Sequence, residues 1–269
     1  MATTSISNTK QLTIRIGNNT LSFTITDKAN AERPVQYEPY VVKSGISMAA
    51  NLREAFKTFS REFDLPTARV MINTPVLMVP IEQFQEADAA TLYLHSFPQS
   101  DKEVVKYNVL PSQNAVCIFC INKDLLTVLN DHFSDLQLMH VMMPVWNYLH
   151  QRSFTGIRSK LFGYFHDQRL EVFSFQQNRF KFCNSFDAQH MHDSLYFLLY
   201  VWRQLNLQQE HDELHLAGDI PEKEQLLDEL RKYLKRAYII NPTADFNRSP
   251  VTQIDGITYD LMTLIVKGR

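Results

Sequence analysis

Apolar and polar residues alternate in the first part of the chain, in two runs separated by a polar break. The apolar positions of these runs are Leu12, Ile14 and Ile16, and then Leu21, Phe23 and Ile25. Gly17-Asn18-Asn19 lies between them, and glycine and asparagine tolerate the positive φ angles of a tight turn. The pattern predicts a β-hairpin, followed by a third strand over Tyr37–Val42.

After this hairpin the apolar spacing changes from two residues to three or four. Leu52, Phe56, Phe59 and Phe63 share one face of an amphipathic helix predicted over Ser47–Phe63, with Ser47 as its N-cap. Strands and helices then alternate, which favours an α/β fold. The predicted strands span 68–80 (with a break at 73–75), 102–110, 114–121 and 135–142, and the predicted helices span 81–95, 124–133 and 144–151.

The same order of elements returns after the apolar pattern lapses at residues 151–159. Three strands are predicted over 161–166, 169–176 and 179–186, and they are followed by a helix over 187–207, a strand over 213–217, a helix over 221–236 and a strand over 237–241. Asp187 and Asp219 precede the two helices and are predicted to cap them. Two halves with one pattern suggest an internal duplication. The predicted domains are 11–155 with an inserted subdomain over about 72–111, then 156–246, and a C-terminal tail over 247–269 that docks on the core.

The amino-acid composition argues against several classes of function. The formal net charge of -2 gives no global field that would attract a polyanion, so no nucleic-acid partner is expected. The N-terminus lacks the layout of a signal peptide, and the longest apolar run, Leu195–Trp202, is far shorter than the roughly 20 residues of a membrane span. With only three cysteines, the chain is predicted to be a cytoplasmic protein from a reducing compartment, without membrane insertion.

The order of elements resembles the actin-like ATPase superfold, and more closely its branch of pilus-assembly and cell-division actin-like proteins. The central segments VMINTPVLMVPIEQFQEADAATLYL, KEVVKYNVLP and AVCIFCINKDLLTVLNDHF resemble the small inserted subdomain of that branch and the return to the first core domain. The chain also resembles an uncharacterised bacterial family with this fold. The resemblance implies an α/β fold of two ribonuclease-H-like halves, with a small α+β subdomain inserted in the first half.

The loops that bind nucleotide in this superfold differ here. Members that hydrolyse ATP carry an Asp-x-Gly turn in the first hairpin of each half and a double-glycine turn later. The first turn of this chain, Arg15–Asn19, has arginine in place of the carboxylate. The second, Phe165–Gln168, has a displaced Asp167 and no glycine, and the third, Ala217–Ile220, retains one glycine.

These departures make a non-enzymatic scaffold or protein-binding module the leading hypothesis, with no cofactor, no catalytic residue and no metal. The partner would be an unidentified protein, and a homo-oligomer stays open. The alternative is a divergent actin-like ATP-binding protein or ATPase that uses ATP with magnesium. Its cofactor-binding residues would be Asn18, Asn19, His166, Asp167 and Gly218. A third hypothesis, nucleic-acid binding on a ribonuclease-H-like sheet, rests on fold relatedness alone.

Other residues that could carry chemistry have structural explanations. Cys117 and Cys120 lie three apart on a predicted strand and therefore point to opposite faces, as two buried thiols rather than a redox or metal pair. His190 and His192 diverge by about 200° on a helix, and His215 lies on a predicted strand, so these histidines and His211 are not expected to converge on a metal.

The helix that follows the second meander is apolar on all sides. Its residues Leu195–Trp202 predict burial between the sheet and its neighbours. Tyr196, Tyr200 and Trp202 are therefore assigned to core packing rather than to ligand stacking.

Overall fold

The structure of the chain is a computed structural model that describes residues 10–59, 65–97 and 102–268. The predicted end of the first helix at Phe63 lies outside these ranges. The chain divides into two compact units. Unit 1 comprises Met1–Val76, Ala89–Tyr107 and Phe119–Val141, and unit 2 comprises Leu77–Asp88, Asn108–Ile118 and Met142–Arg269. The two units are defined by their compactness alone, so the domain limits predicted from the sequence stay a prediction.

Thirteen β-strands and eight α-helices are formed by the described residues. The strands are β1 (Lys10–Ile16), β2 (Leu21–Asp27), β3 (Val35–Tyr40), β4 (Thr67–Ile72), β5 (Leu77–Pro80), β6 (Glu103–Leu110), β7 (Ala115–Asn122), β8 (Asp135–His140), β9 (Lys160–His166), β10 (Arg169–Gln176), β11 (Arg179–Asp187), β12 (Glu213–Gly218) and β13 (Ala237–Ile239). The helices are α1 (Met48–Thr58), α2 (Ala89–Ser96), α3 (Lys123–His132), α4 (Met143–Ser153), α5 (Met191–Gln204), α6 (Lys223–Arg231), α7 (Pro242–Asp245) and α8 (Tyr259–Lys267).

The sheet of unit 1 has the strand order β3-β2-β1-β4-β8. Strands β1 and β2 are antiparallel, whereas β1, β4 and β8 are parallel, as predicted for a meander followed by helical crossovers. The alternating residues Leu12, Ile14 and Phe23 are fully buried. Helix α1 begins as predicted, because the Ser47 hydroxyl accepts a hydrogen bond from the Ala50 amide at 3.2 Å.

The sheet of unit 2 has the corresponding order, β11-β10-β9-β12-β13. Its first three strands are antiparallel and its last two are parallel to β9 and to each other. The side chains of one face pack against α5 and α6 in a continuous apolar core that includes Leu161, Leu170, Leu198, Leu214 and Leu226. This meander followed by crossovers agrees with the predicted second half.

A third, smaller sheet has the order β5-β7-β6. Residues 81–95, predicted as one helix, form two 3-10 turns at Ile81–Gln83 and Glu86–Asp88 before α2 begins. The prediction was wrong there because the Ile81 amide donates to the Asn114 carbonyl at 3.1 Å, as an extension of the β5–β7 pairing. An α-helix therefore starts only at Ala89.

Both predicted aspartate caps were wrong. Strand β11 continues through Asp187, which pairs with Arg169 in the ladder and forms an ion pair with it at 2.8 Å, so α5 starts four residues later. The Asp219 amide donates to the Phe165 carbonyl at 2.9 Å, and α6 is entered through Glu222 in the left-handed conformation, with φ of 44°. Strand pairing took precedence over capping at both positions.

The C-terminal segment folds as a helix within unit 2. Helix α8 packs against α4, and the Tyr164 hydroxyl donates to the fully buried Asp260 carboxylate at 3.0 Å. The Tyr259 hydroxyl donates to Asp245, which also pairs with Arg152. Across the described ranges, the helices are too short or too polar to span a membrane.

Candidate functional site

The turn between β9 and β10 is the tightest of the predicted nucleotide loops. His166 pairs with Arg169, so the turn has only two central residues, Asp167 and Gln168. Both have positive φ, at 47° and 62°, which is the conformation of a type I′ turn. This turn usually contains asparagine and glycine, because a Cβ is strained there. The chain therefore forms the tight turn without the glycine that is expected at this position in the superfold.

A buried histidine lies between two carboxylates at this turn. His166 is 3% exposed, and its Nδ1 lies 3.2 Å from Asp167 Oδ2. Its Nε2 lies 3.7 Å from Oε1 of Glu171, which is also buried and accepts a hydrogen bond from the Ser185 hydroxyl at 2.6 Å. The ring of His166 stacks on Tyr164 with centroids 4.8 Å apart. Asp167 and Glu171 thus lie on the two sides of the His166 ring.

Gly218 brings the end of β12 directly against this hairpin. It pairs with Phe165 and has φ of +90°. A Cβ on Gly218 would lie 2.0 Å from the Phe165 carbonyl oxygen and 2.8 Å from the Tyr164 ring. The residue must therefore be glycine for steric reasons that require no ligand. Three of the predicted cofactor-binding residues, His166, Asp167 and Gly218, thus lie within one small region of unit 2.

The other two predicted residues, Asn18 and Asn19, lie in unit 1 at the exposed turn between β1 and β2. This turn is closed by a hydrogen bond from the Gly17 amide to the Thr20 carbonyl at 2.8 Å. Arg15 is 2% exposed, and its guanidinium donates to the Thr20 hydroxyl at 3.2 Å. The arginine that replaces the expected carboxylate is thus directed onto the turn itself.

Cys117 and Cys120 are buried thiols, as predicted. Cys117 and Cys120 are 0% and 3% exposed and neither forms a disulfide. Burial raises the pKa of both thiols, which keeps them protonated and unreactive at neutral pH. Cys120 accepts a weak hydrogen bond from the Tyr93 hydroxyl at 3.6 Å.

Over the described part of the chain, no three side chains of His, Cys, Asp or Glu are grouped so that they could hold a metal ion. His190 and His192 are exposed at the start of α5, and His211 is exposed in the loop before β12. His215 lies on β12, where its Nε2 is 3.0 Å from Glu213 Oε2. Burial lowers the pKa of His215.

The prediction for the aromatic helix was partly wrong. Trp202 is buried, but Tyr196 and Tyr200 are 62% and 48% exposed and stack on each other with centroids 6.0 Å apart. Leu198 and Val201 face the sheet, and residues at the spacing of Tyr196 and Tyr200 lie on the outer side of the helix. The helix is therefore amphipathic although its sequence is apolar throughout, because tyrosines form its solvent-exposed face.

A family model described as a protein of unknown function (DUF3822) matches residues 2–237. The chain belongs to this family. The crystal structure of a Bacteroides thetaiotaomicron protein with an actin-like ATPase fold and unknown function is 28% identical to this family member, with a TM-score of 0.80, and the match covers 98% of this chain and 99% of that one. The curated proteins include no match to the chain.

A second structure supports the same fold. The PilM-PilN type IV pilus biogenesis complex contains a chain that is 12% identical to this DUF3822 member, with a TM-score of 0.57 and coverage of 95% of this chain and 96% of that chain. The actin-like ATPase fold, which was predicted from the sequence, is confirmed.

Sequence reasoning missed Glu171 and Asp260 in this DUF3822 member. Glu171 lies between Leu170 and Val172 in a strand whose residues are buried on both faces, and a lone carboxylate in such a strand was the available signal. Asp260 gave no such signal, because it lies in the first turn of α8, where aspartate is common.

Proposed function

We propose that this DUF3822 protein is a non-enzymatic, protein-binding member of the actin-like fold that does not use ATP. The observation that carries the proposal is the pair of carboxylates, Asp167 and Glu171, on either side of the buried His166. A phosphate needs hydrogen-bond donors and positive charge. At this turn His166, Asp167 and Glu171 instead lie against one another within the protein, and the two central residues offer no glycine at which a phosphate could approach the backbone amides.

The first hairpin supports the same proposal. In ATP-hydrolysing members of the superfold, the carboxylate of this turn organises the metal ion. The guanidinium of Arg15 occupies the equivalent sequence position and bonds to Thr20 of the same turn. A cation cannot ligate magnesium, and this one is already engaged by the protein. The turns of the two units are thus each self-contained.

A protein partner is supported by exposed leucines in the segment that is predicted to be inserted. Helix α2 buries Ala89 and Tyr93, and it exposes Leu92 and Leu94 by 37% and 49%. Exposed leucine side chains gain buried apolar area when a second protein covers them. The PilM chain, which has this fold, is known in complex with PilN, a protein partner. The partner of the present chain is proposed only as a protein.

The experiment is a thermal-shift titration of the full chain with ATP and with ADP, each with and without magnesium. A ligand that binds only the folded state at 100 times its Kd stabilises it by about 2.7 kcal/mol. We expect no magnesium-dependent rise in Tm with either nucleotide. A saturable rise that requires magnesium would contradict the proposal.

The second candidate function is ATP binding by a divergent site, which the exposed amide side chains of Asn18 and Asn19 favour. If it holds, Asn18→Ala with Asn19→Ala should abolish a nucleotide-dependent rise in Tm while leaving the Tm of the free protein nearly unchanged. Exposed turn substitutions commonly change stability by less than about 0.5 kcal/mol.

A further inference from the structure

Strand β13 lies at the end of the unit 2 sheet, and among the described residues no further strand pairs with its outer edge. The Leu214 amide donates to the Arg236 carbonyl at 2.9 Å and the Ile240 amide donates to the Leu216 carbonyl at 2.8 Å. Residues 236 and 240 therefore direct their backbone groups towards β12. Because these directions alternate along a strand, the backbone groups of Ile239 point away from it. Within the described ranges, neither the amide nor the carbonyl of Ile239 has a hydrogen-bond partner.

Two grooves flank this edge on opposite faces of the sheet. The first, of about 440 Å³, lies beside α6 and is lined by Lys223, Glu224, Leu227 and Arg231 together with residues 238–242. The second, of about 480 Å³, is lined by Arg152, Glu213, His215, Ala244 and Asp245 together with residues 238–241. Leu214 packs towards α6 and His215 lies on the other face, so the faces are distinct.

An added strand would use both grooves at once. Successive side chains of a strand point to opposite faces, so alternate residues of an extended segment beside β13 would enter the α6 groove and the His215 groove in turn. Main-chain hydrogen bonds to Ile239 would fix the position of the added segment, and the two grooves would select its side chains. An open edge with a groove on each face is therefore suited to an extended peptide.

The charges in the two grooves indicate which side chains of an added segment each groove would accept. In the α6 groove, the cations Lys223 and Arg231 have no ion-pair partner among the described residues, and Glu224 is the only anion lining it. Arg231 also donates a long hydrogen bond of 3.5 Å to the Ala237 carbonyl, which holds its guanidinium beside β13. In the other groove, Arg152 is paired with Asp245, and Glu213 with Arg158 and His215. The first groove thus complements an acidic side chain, and the second an uncharged one.

An apolar or aromatic residue suits the second groove. Tyr238 is 39% exposed, and its ring centroid lies 5.4 Å from that of His215. This pair offers an open aromatic surface between the two compensated ion pairs. Aromatic and aliphatic side chains gain both buried area and ring contacts on such a surface.

We propose that the β13 edge binds an extended segment of a partner protein, in which acidic residues alternate with apolar or aromatic ones. The segment adds a strand to the sheet, with its acidic side chains beside Lys223 and Arg231 and its apolar side chains against Tyr238. This inference rests on the proposed protein-binding function and names the chemistry of the partner.

The test begins with a random twelve-residue peptide library displayed on phage and selected on the purified full chain. We expect enriched peptides with acidic residues at alternate positions. Synthetic copies of these peptides should bind the Arg231→Glu variant about tenfold more weakly than wild type. The substitution removes one charge contact with an acidic peptide side chain and introduces a repulsion in its place. The matched control is Lys232→Glu, which makes the same charge change on the next residue, where Lys232 pairs with Glu229 outside the groove. It should bind within about twofold of wild type.

Amide hydrogen exchange followed by NMR locates the bound peptide. The Ile239 amide should exchange more slowly when peptide is bound, because it gains a strand hydrogen bond. A library without enrichment, equal weakening by both substitutions, or unchanged exchange at Ile239 would each overturn the proposal. An Ile239 amide already protected in a concentration-dependent dimer would assign the edge to a second copy and would also overturn it.

The outcomes separate this inference from the proposed function. Peptides that bind without any change at Ile239 would leave a protein-binding function in place and remove the β13 edge as its site. Magnesium-dependent binding of ATP would contradict the proposed function, whatever the peptides do.

Discussion

Gly218→Ala should strongly destabilise unit 2 in the absence of any ligand. An alanine at φ of +90° is strained by about 1–2 kcal/mol. Its Cβ would also lie 2.0 Å from the Phe165 carbonyl oxygen, so β12 and β9 would have to separate at their ends. That separation breaks the 2.9 Å hydrogen bond from the Asp219 amide to Phe165, at about 1–3 kcal/mol for a group left unpaired. The sum is about 2–5 kcal/mol.

The assay is urea unfolding followed by tryptophan fluorescence. Both tryptophans of the chain, Trp146 and Trp202, lie in unit 2 and are buried, so the signal reports on that unit. The matched control is Gly156→Ala, because Gly156 has φ of +78° in the same unit and a Cβ added there would meet no atom within 4 Å. It should show only the strain of about 1–2 kcal/mol. Equal losses for the two variants would refute the steric argument.

Three further predictions concern contacts elsewhere. Tyr164→Phe should lower the free energy of unfolding of unit 2 by about 1–3 kcal/mol in the same assay, because it leaves buried Asp260 without its hydrogen-bond donor at 3.0 Å. An unchanged free energy of unfolding would exclude a stabilising role for this hydrogen bond. Ser47→Ala should lower the stability of α1, measured by amide hydrogen exchange, by about 1 kcal/mol. Ser47→Asp should retain the wild-type stability, because aspartate also caps helices. Burial lowers the pKa of His215, so its contribution to stability is complete above pH 6.5 and is lost as the pH falls below it. His215→Asn should therefore show a smaller fall in Tm between pH 7 and pH 5, and an unchanged fall would contradict the assignment.

The hydrophobic pattern was sufficient to predict most of the fold. Alternation at Leu12–Ile16 and Leu21–Ile25 located the first hairpin, and the three- to four-residue spacing from Leu52 located α1. The element order then led to the actin-like fold. These features are local or repeated, so a single sequence contains them.

The errors arose where distant contacts decided the structure. Residues 81–88 have a helical pattern, but hydrogen bonding to Asn114 delays the helix. Asp187 precedes a helix in sequence, but pairing with Arg169 extends the strand through it. The partners lie 33 and 18 residues away, so propensity at one position could not reveal them.

The candidate site was only partly predictable for a similar reason. His166, Asp167 and Gly218 could be named because the family pattern marks their turns. Glu171, which completes the carboxylate pair around His166, was visible only as a charge in an apolar strand. Its significance follows from the antiparallel register of β9 and β10, which places it beside His166.

The central claim, that the hairpin turns of this chain do not engage a nucleotide, is tested most directly by isothermal titration calorimetry of ATP with magnesium into the full protein. The account predicts no saturable heat at protein concentrations that would reveal a Kd of about 1 mM or tighter, which corresponds to about -4 kcal/mol. A saturable, magnesium-dependent isotherm that is lost in Asn18→Ala with Asn19→Ala would contradict it.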